Sequence, residues 1–340
     1  MDNTKNEEMI ISPLQEDLVI SEENLGLGTE IGNDDPAFIE SNTQGISFEE
    51  LTTKNLIPTF ADGTLSLSHG SIIKATMKAA EQVFGELAPV QIRVSHRVQG
   101  RTPEAMDKLT SELTEEDKTE FYQRMGFVIR AKNFTRVVNG VEVNLCVGGT
   151  RSYAEEKLFG RPAPAHIKLV CGWHVRLCSN GCITTSGTSG TLNCLTEADV
   201  FENAIKLFQN FSPEKEDVLG ILENLGRTSI SEEQLCHVIG RLRLYQALPL
   251  AEQEALPRFI LGDNAINKVA QGYISNETFG RKNENSITLW SLLNLMNEAV
   301  KQGAYINDWV DRNINCTDFV LGIQKALLGQ DEEGYDWFLN

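Results

Sequence analysis

Residues 134–147 read Phe134-Thr-Arg-Val-Val-Asn139-Gly140-Val-Glu-Val-Asn-Leu-Cys-Val147. From Val141 to Leu145 apolar and polar residues alternate, which is the period of a strand with one buried face, and three of the five residues before Asn139 are apolar. Asn-Gly is the pair that best tolerates the positive φ angles of a type I′ turn. The stretch therefore predicts a β-hairpin, and the chain around it is expected to form an antiparallel sheet.

Further strands are predicted on both sides of this hairpin, at Val90–His96, Phe127–Ala131 and Ile167–Leu177. Helical spacing of apolar residues predicts a helix over Ser68–Phe84, with Gly85 placed to end it. A second helix is predicted over Glu112–Met125, as a charged surface helix. Residues 50–195 are thus predicted to be a β-rich domain with a few helices.

The apolar period changes to 3.6 residues after Leu195. Capping sequences at Thr196 and Ser231 each begin a predicted helix, because their hydroxyls can accept a backbone N–H three residues later. Helices are also expected over Ser286–Lys301 and Thr317–Leu328, and the apolar end Tyr335–Leu339 is expected to pack back on the body. The predicted fold class is α+β, a mostly antiparallel sheet in the N-terminal half packed with a C-terminal helical half, residues 196–340.

Charge is unevenly distributed along the 340 residues, whose net charge is −18. Residues 1–50 carry 13 acidic residues and one lysine, so residues 1–45 are predicted to be a disordered acidic tail. The seven cysteines are scattered or lie in apolar surroundings, and neither a signal peptide nor a run of about 18 apolar residues occurs. These features predict a cytoplasmic protein with reduced thiols and no membrane contact.

The densest group of reactive side chains lies in a single twelve-residue segment and consists of Cys171, His174, Cys178 and Cys182. Zinc usually takes two short ligand pairs separated by a longer loop, and a strand here would place Cys171 and His174 on opposite faces. A thiol nucleophile with His174 as its base is a second interpretation, and small cysteines packed in a core beside Trp173 are a third. We predict the packing interpretation, with no metal and no cofactor.

Basic residues outnumber acidic ones, 14 to 10, between Gln91 and Arg176. A sheet face lined by arginines, with Tyr153 and Trp173 nearby, could bind single-stranded nucleic acid through phosphate contacts and base stacking. The alternative is a solvated face with local salt bridges. The residues predicted to bind nucleic acid are Arg93, Arg97, Arg130, Arg151, Arg176 and Asn180, the last of which belongs to a predicted tight turn.

Seven strings together resemble an uncharacterised family, a domain of unknown function carried by phages, plasmids and integrated conjugative elements of anaerobic gut bacteria. The resemblance spans roughly residues 55–339 and implies a mobile-element accessory protein, but it implies no catalytic residues. The strings are Ser95-His-Arg-Val-Gln-Gly-Arg-Thr-Pro-Glu104, Lys118-Thr-Glu-Phe-Tyr-Gln-Arg-Met125, Gly148-Gly-Thr-Arg-Ser-Tyr153, Arg176-Leu-Cys-Ser-Asn-Gly-Cys-Ile183, Ile239-Gly-Arg-Leu-Arg-Leu-Tyr-Gln246, Tyr305-Ile-Asn-Asp-Trp-Val-Asp-Arg312 and Trp337-Phe-Leu339.

Three functions are compatible with these features. The leading hypothesis is a non-enzymatic protein that binds single-stranded DNA or RNA during replication, recombination or transfer of a mobile element. The first alternative is a protein-interaction module, such as one that blocks a host defence factor, with a host or element protein as its partner. The second alternative is a metal- or thiol-dependent enzyme. The sequence makes no prediction of oligomeric state.

Overall fold

The computed structural model describes residues 36–53, 67–105, 107–156, 164–175, 180–182, 189–211, 216–282 and 285–340. Within these ranges the protein is α+β, as predicted: an antiparallel sheet occupies the first part of the chain and helices follow it. Buried residues from both parts form one continuous hydrophobic core. The division into a β-rich domain and a helical region at residue 195 stays a prediction. None of the helices in the described ranges is long and apolar enough to cross a membrane.

The main sheet has seven strands in the described part of the chain, and every pairing in it is antiparallel. Its order is β1-β2-β5-β6-β7, and both β8 and β9 pair with the outer edge of β7. Two smaller ribbons pair β3 with β4 and β10 with β11. The strands are β1 (Gln44–Ile46), β2 (Gln91–Val94), β3 (Arg97–Arg101), β4 (Lys118–Tyr122), β5 (Arg124–Val138), β6 (Val141–Ser152), β7 (Ala165–Val175), β8 (Asn180–Cys182), β9 (Ser189–Cys194), β10 (Ser229–Ser231) and β11 (Ser286–Thr288).

The predicted hairpin is confirmed and connects the two longest strands, β5 and β6. Asn139 and Gly140 both have positive φ angles, as a type I′ turn requires. The Asn139 side chain also donates a 2.8 Å hydrogen bond to the carbonyl of Leu222, so the turn is tied to a helix. The strongest local signal in the sequence therefore forms the centre of the sheet.

Helices cover both faces of the sheet. The predicted capping boxes are confirmed: the hydroxyls of Thr196 and Ser231 accept the backbone N–H of Asp199 and Gln234, both at 3.1 Å. The helices are α1 (Phe48–Thr53), α2 (His69–Phe84), α3 (Tyr153–Glu156), α4 (Glu197–Asn210), α5 (Glu216–Arg227), α6 (Glu232–Ala247), α7 (Leu250–Gln253), α8 (Asp263–Ser275), α9 (Leu289–Gly303) and α10 (Trp309–Leu327).

The two faces of the sheet differ in what packs on them. We call them the α2 face, on which α2 and α4 pack, and the Trp309 face, on which Trp309 and the turn before it pack. Gly126 belongs to the Trp309 face, because a Cβ there would meet the side chains of Phe38 and Ile306. Side chains alternate along β5, so Phe127 points to the α2 face. Both faces of the central strands are therefore covered by other parts of the fold.

Two predictions made from the sequence are wrong. Residues 112–125 are not a helix: Asp117 caps a short turn by accepting the N–H of Thr114 at 2.9 Å, and the chain then continues as β4 and the start of β5. Pairing of β4 with β3 overrides the local helical pattern. The predicted disordered tail also extends too far, since Phe38 and Ile39 are buried and β1 begins at Gln44. Residues 1–35 lie outside the described residues.

The C-terminal helices differ from the prediction mainly in their boundaries. The helix predicted from Ser286 begins at Leu289, where Thr288 caps it by accepting the N–H of Ser291 at 3.1 Å. The helix predicted from Thr317 begins earlier, at Trp309. The expected packing of the C-terminal end is confirmed, because Phe338 is completely buried.

Candidate functional site

The arginines predicted from the sequence do not share one open face. Arg151 is fully buried, and its Nε lies 2.6 Å from the carboxylate of Glu156. In the strand pairing Arg151 lies opposite Met125, and Arg93 lies opposite the next residue, Gly126. Because side chains alternate along a strand, Arg151 points to the α2 face and Arg93 to the Trp309 face. The predicted arginine-lined face is therefore wrong in geometry, and Arg151 cannot reach a partner on the surface.

The remaining predicted residues have different environments. Arg93 is partly buried and donates two 3.1 Å hydrogen bonds to Thr43, through Nε and through one terminal nitrogen. Arg97 is exposed and pairs with Glu50 at 3.1 Å and with Glu120 at 3.4 Å. Partly buried Arg130 lines a small cavity. Asn180 begins β8, and Arg176 lies outside the described residues.

The cysteine and histidine residues of the central segment are not arranged as a joint site. Cys171 and His174 are both buried and point to opposite faces of β7. Cys182 lies on β8, opposite Trp173 in the strand pairing, and Cys178 lies outside the described residues. Burial raises the pKa of the Cys171 thiol well above its ordinary value, which disfavours the thiolate that a metal ligand or nucleophile needs. In the described ranges, no group of three His, Cys, Asp or Glu side chains is placed to hold a metal ion.

An open cleft lies where the start of β5 meets the turn before α10. Its volume is about 310 Å³. We call it the Arg124 cleft. It is lined by Ser41, Asn42, Thr43, Ser95, His96, Arg124, Tyr305 and Ile306.

Three segments build this cleft. Ser95 binds the backbone of Arg124. The Ser95 hydroxyl accepts a hydrogen bond from the Arg124 backbone N–H at 3.0 Å, and the Ser95 backbone N–H donates to the Arg124 carbonyl at 3.0 Å. Tyr305 precedes the short turn Ile306–Asp308, which leads into α10. Asn42 adopts a positive φ, which asparagine tolerates better than most residues. The turn at Asn42 places Ser41 and Thr43 at the rim of the cleft.

Arg124 and Tyr305 form the chemically distinctive pair of the cleft. The Arg124 guanidinium carbon lies 5.5 Å from the centre of the Tyr305 ring, and Tyr305 is 55% exposed. Among the described residues, the guanidinium makes no hydrogen bond or ion pair, and its Nε is buried without a partner. A cation free of carboxylates beside an exposed aromatic ring can hold a phosphate while the ring stacks on a base.

Sequence reasoning missed both Arg124 and Tyr305. Arg124 fell within the segment predicted as a helix, and Tyr305 lies far along the chain, in a turn that no local pattern links to β5. One signal was present: three of the strings that carry the family resemblance supply cleft residues. They begin at Ser95, Lys118 and Tyr305.

Comparison with known proteins places the chain in a family without assigning an activity. The profile described as "Domain of unknown function, B. Theta Gene description (DUF3871)" matches residues 16–339. No curated protein and no solved structure matches the chain. Because the profile covers almost the whole sequence, the chain belongs to the DUF3871 family.

Proposed function

We propose that the protein is a non-enzymatic nucleic-acid-binding protein and that the Arg124 cleft holds a segment of single-stranded DNA or RNA. The observation that carries this proposal is the pairing of the Arg124 guanidinium, which has no carboxylate partner among the described residues, with the exposed ring of Tyr305. Stacking on an aromatic ring requires unpaired bases, so single strands are the expected ligand rather than duplexes.

The surroundings of the cleft support an anionic ligand with a flat ring. Among the described residues, no Asp or Glu side chain lines the cleft, whereas Asn42, Thr43 and Ser95 add neutral hydrogen-bonding groups. Exposed His96 lies in the same wall. The volume is at the lower end of the roughly 300–1,000 Å³ of small-ligand pockets, so the cleft suits one nucleotide of a strand at a time.

The charge of the whole protein limits the affinity of such binding. The body outside residues 1–50 has a net charge of −6, so binding relies on a local cationic group and not on a broad basic surface. We therefore propose weak, salt-sensitive binding. We further propose a role in replication, recombination or transfer of a mobile element, which rests on the sequence resemblance alone.

Fluorescence anisotropy with labelled single-stranded DNA, single-stranded RNA and duplex DNA at low salt tests the proposal. We expect Tyr305→Ala to weaken single-strand binding about 5- to 150-fold, the range that corresponds to about 1–3 kcal/mol per stacked base. Leu250→Ala removes a side chain that is 70% exposed on another part of the surface and should have no effect.

Two outcomes reject this function. One is the absence of single-strand binding by the wild-type protein. The other is equal binding by wild-type protein and the Tyr305→Ala variant, which would show that any binding occurs outside the Arg124 cleft.

A further inference from the structure

One wall of the Arg124 cleft is a turn that the rest of the fold holds at both ends. We call it the rim turn, and it consists of Ser41, Asn42 and Thr43, which all line the cleft. At its start, the backbone N–H groups of Glu40 and Ser41 donate to the carbonyl of Lys301, at 2.9 and 3.5 Å. The rim turn is thereby tied to the end of α9, and its other end leads directly into β1.

Arg93 holds the second end of the rim turn. It lies on β2, opposite Gly45 of β1. Its Nε donates to the Thr43 hydroxyl and its Nη2 to the Thr43 carbonyl, both at 3.1 Å. A Cβ on Gly45 would lie 3.3 Å from the other terminal nitrogen of Arg93, so the glycine leaves room for the guanidinium beside β1. The planar guanidinium thus binds two atoms of Thr43 in one fixed geometry.

The backbone of Asn42 shows why the rim turn depends on contacts at its ends. Its φ angle is 51°, in the left-handed region. A residue other than glycine has a steric cost in this region and keeps the conformation only where the surrounding structure enforces it. Asn42 is exposed, and its side chain makes a long hydrogen bond, 3.4 Å, to the Ser41 hydroxyl. The anchors at Lys301 and Arg93 therefore maintain the shape of the turn.

Arg93 is placed to act on the turn and not on a ligand. It is partly buried and is not among the residues that line the cleft. Burial lowers the pKa of its guanidinium, and the nearby carboxylate of Glu40 opposes this shift. The positive charge of Arg93 is thus directed to groups of the protein itself, whereas Arg124 faces the cleft.

We propose that Arg93 is a positioning residue for single-strand binding: by holding Thr43, it keeps the rim turn in the shape that receives the ligand. This inference rests on the proposed function. A wall that is already ordered loses little conformational freedom when a ligand binds, and this lowers the cost of association. Loss of the Arg93 contacts should therefore weaken binding without removing a contact to the ligand.

Fluorescence anisotropy with labelled single-stranded DNA at several salt concentrations tests this role, with every protein kept well below its own Tm. We expect Arg93→Ala to weaken binding about 2- to 12-fold. The slope of log K against log salt concentration should stay unchanged, because no phosphate contact is lost. Arg243→Ala removes the same charge from α6, where Arg243 pairs with Asp263 at 2.9 Å, and should bind like the wild-type protein.

A double-mutant cycle tests whether Arg93 acts through Thr43. Thr43→Val removes the hydroxyl that accepts from Arg93 Nε and keeps the shape of the side chain. If the two residues act as one unit, the double variant binds more tightly than the sum of the two single effects predicts. Additive effects would contradict the proposed route.

Hydrogen exchange detects the state of the rim turn without any nucleic acid. The amides of residues 40–44 should exchange faster in Arg93→Ala than in the wild-type protein, because one anchor of the turn is lost. Their exchange in Arg243→Ala should equal that of the wild-type protein. Unchanged exchange in Arg93→Ala would show that Arg93 does not hold the turn.

The binding data separate this inference from the proposed function. Wild-type affinity in Arg93→Ala would overturn the positioning role and leave Arg93 a structural residue. A slope that becomes shallower by about 0.7 would also overturn it, because Arg93 would then contact a phosphate directly. In both cases the wild-type protein still binds single strands and the proposed function stands. Absence of binding by the wild-type protein rejects the proposed function, and the positioning role falls with it.

Discussion

The arginines of two arginine–tyrosine pairs in this protein lie at neighbouring positions of the sheet, but the two pairs have opposite environments. Arg151 pairs with Met125, the residue next to Arg124, so the two arginines project from neighbouring positions to opposite faces. The Arg151 guanidinium lies 4.2 Å from the ring centre of Tyr153, and that of Arg124 lies 5.5 Å from that of Tyr305. The residue types are the same, so the difference lies in burial and in the neighbouring charges.

The buried pair is part of a closed network. Arg151 is bound by both oxygens of the Glu156 carboxylate, at 2.6 and 3.1 Å, and it also donates to the carbonyl of Leu67. Burial raises the pKa of Tyr153 to about 12, which keeps its hydroxyl protonated. All the charge in this network is neutralised within the fold. Arg124 has no carboxylate partner among the described residues, so its charge remains available to a ligand.

The largest expected effect comes from breaking the buried pair. Arg151→Ala should lower the free energy of unfolding by about 3–5 kcal/mol, because it leaves the Glu156 carboxylate buried without a counter-charge. Arg124→Ala should change it by less than about 1 kcal/mol, because no internal ion pair is lost. Urea unfolding of the two variants and the wild-type protein measures both values.

A double variant controls for the loss of the side chain itself. Replacing the ion pair by apolar residues, as in Arg151→Met with Glu156→Leu, should recover much of the lost stability. If Arg151→Ala is as stable as Arg124→Ala, the contrast between a structural and an available arginine is wrong.

The next effect is a loss of stability in acid that arises beside Arg151. Burial, followed by the positive charge of Arg151, lowers the pKa of His69 from 6.5 to about 3. Between these two pH values the unfolded chain binds a proton that the folded chain does not, so His69 makes stability fall as pH decreases from 6.5. The loss is about 1.4 kcal/mol per pH unit, or about 2 kcal/mol near pH 5.

Urea unfolding at several pH values measures this effect. A His69→Gln variant can still donate to the Tyr122 carbonyl, to which the His69 Nε2 is bound at 2.9 Å, but it has no proton to gain. Its stability should therefore fall less steeply than that of the wild-type protein below pH 6.5. Parallel curves for the two proteins would show that His69 is not the group responsible.

The same contrast shows what the sequence could and could not predict. Local signals predicted the Asn139-Gly140 turn and the caps at Thr196 and Ser231, because each depends on a few adjacent residues. The environment of each arginine depends on strand register and on distant segments such as Leu67 and Tyr305, which no local pattern contains. Most of the arginine-bearing region was therefore predicted correctly as a sheet, with residues 112–125 as the exception, whereas the exposure of its arginines was not.

A smaller effect concerns the shape of the Arg124 side chain. Arg124→Lys keeps the positive charge but loses the planar guanidinium that stacks on the Tyr305 ring, so single-strand binding should weaken about 2- to 5-fold, corresponding to about 0.5–1 kcal/mol. Arg227→Lys changes a side chain that is 75% exposed on α5 and should leave binding unchanged. Anisotropy titrations compare them. Full affinity in Arg124→Lys would mean that charge alone acts at this position.

The smallest effect is a change in salt dependence, and it separates phosphate contact from every other role of Arg124. Each phosphate that a protein neutralises on a single strand contributes about −0.7 to the slope of log K against log salt concentration. Arg124→Gln removes one positive charge from the cleft, so the slope should become shallower by about 0.7. Arg227→Gln removes the same charge elsewhere and should leave the slope as it is, since only a contact that displaces counterions alters it.

Titrations at four or more salt concentrations give the slopes. If Arg124→Gln lowers the affinity but keeps the wild-type slope, then Arg124 supports the Tyr305 ring without touching a phosphate, and it belongs with Arg151 among the structural arginines.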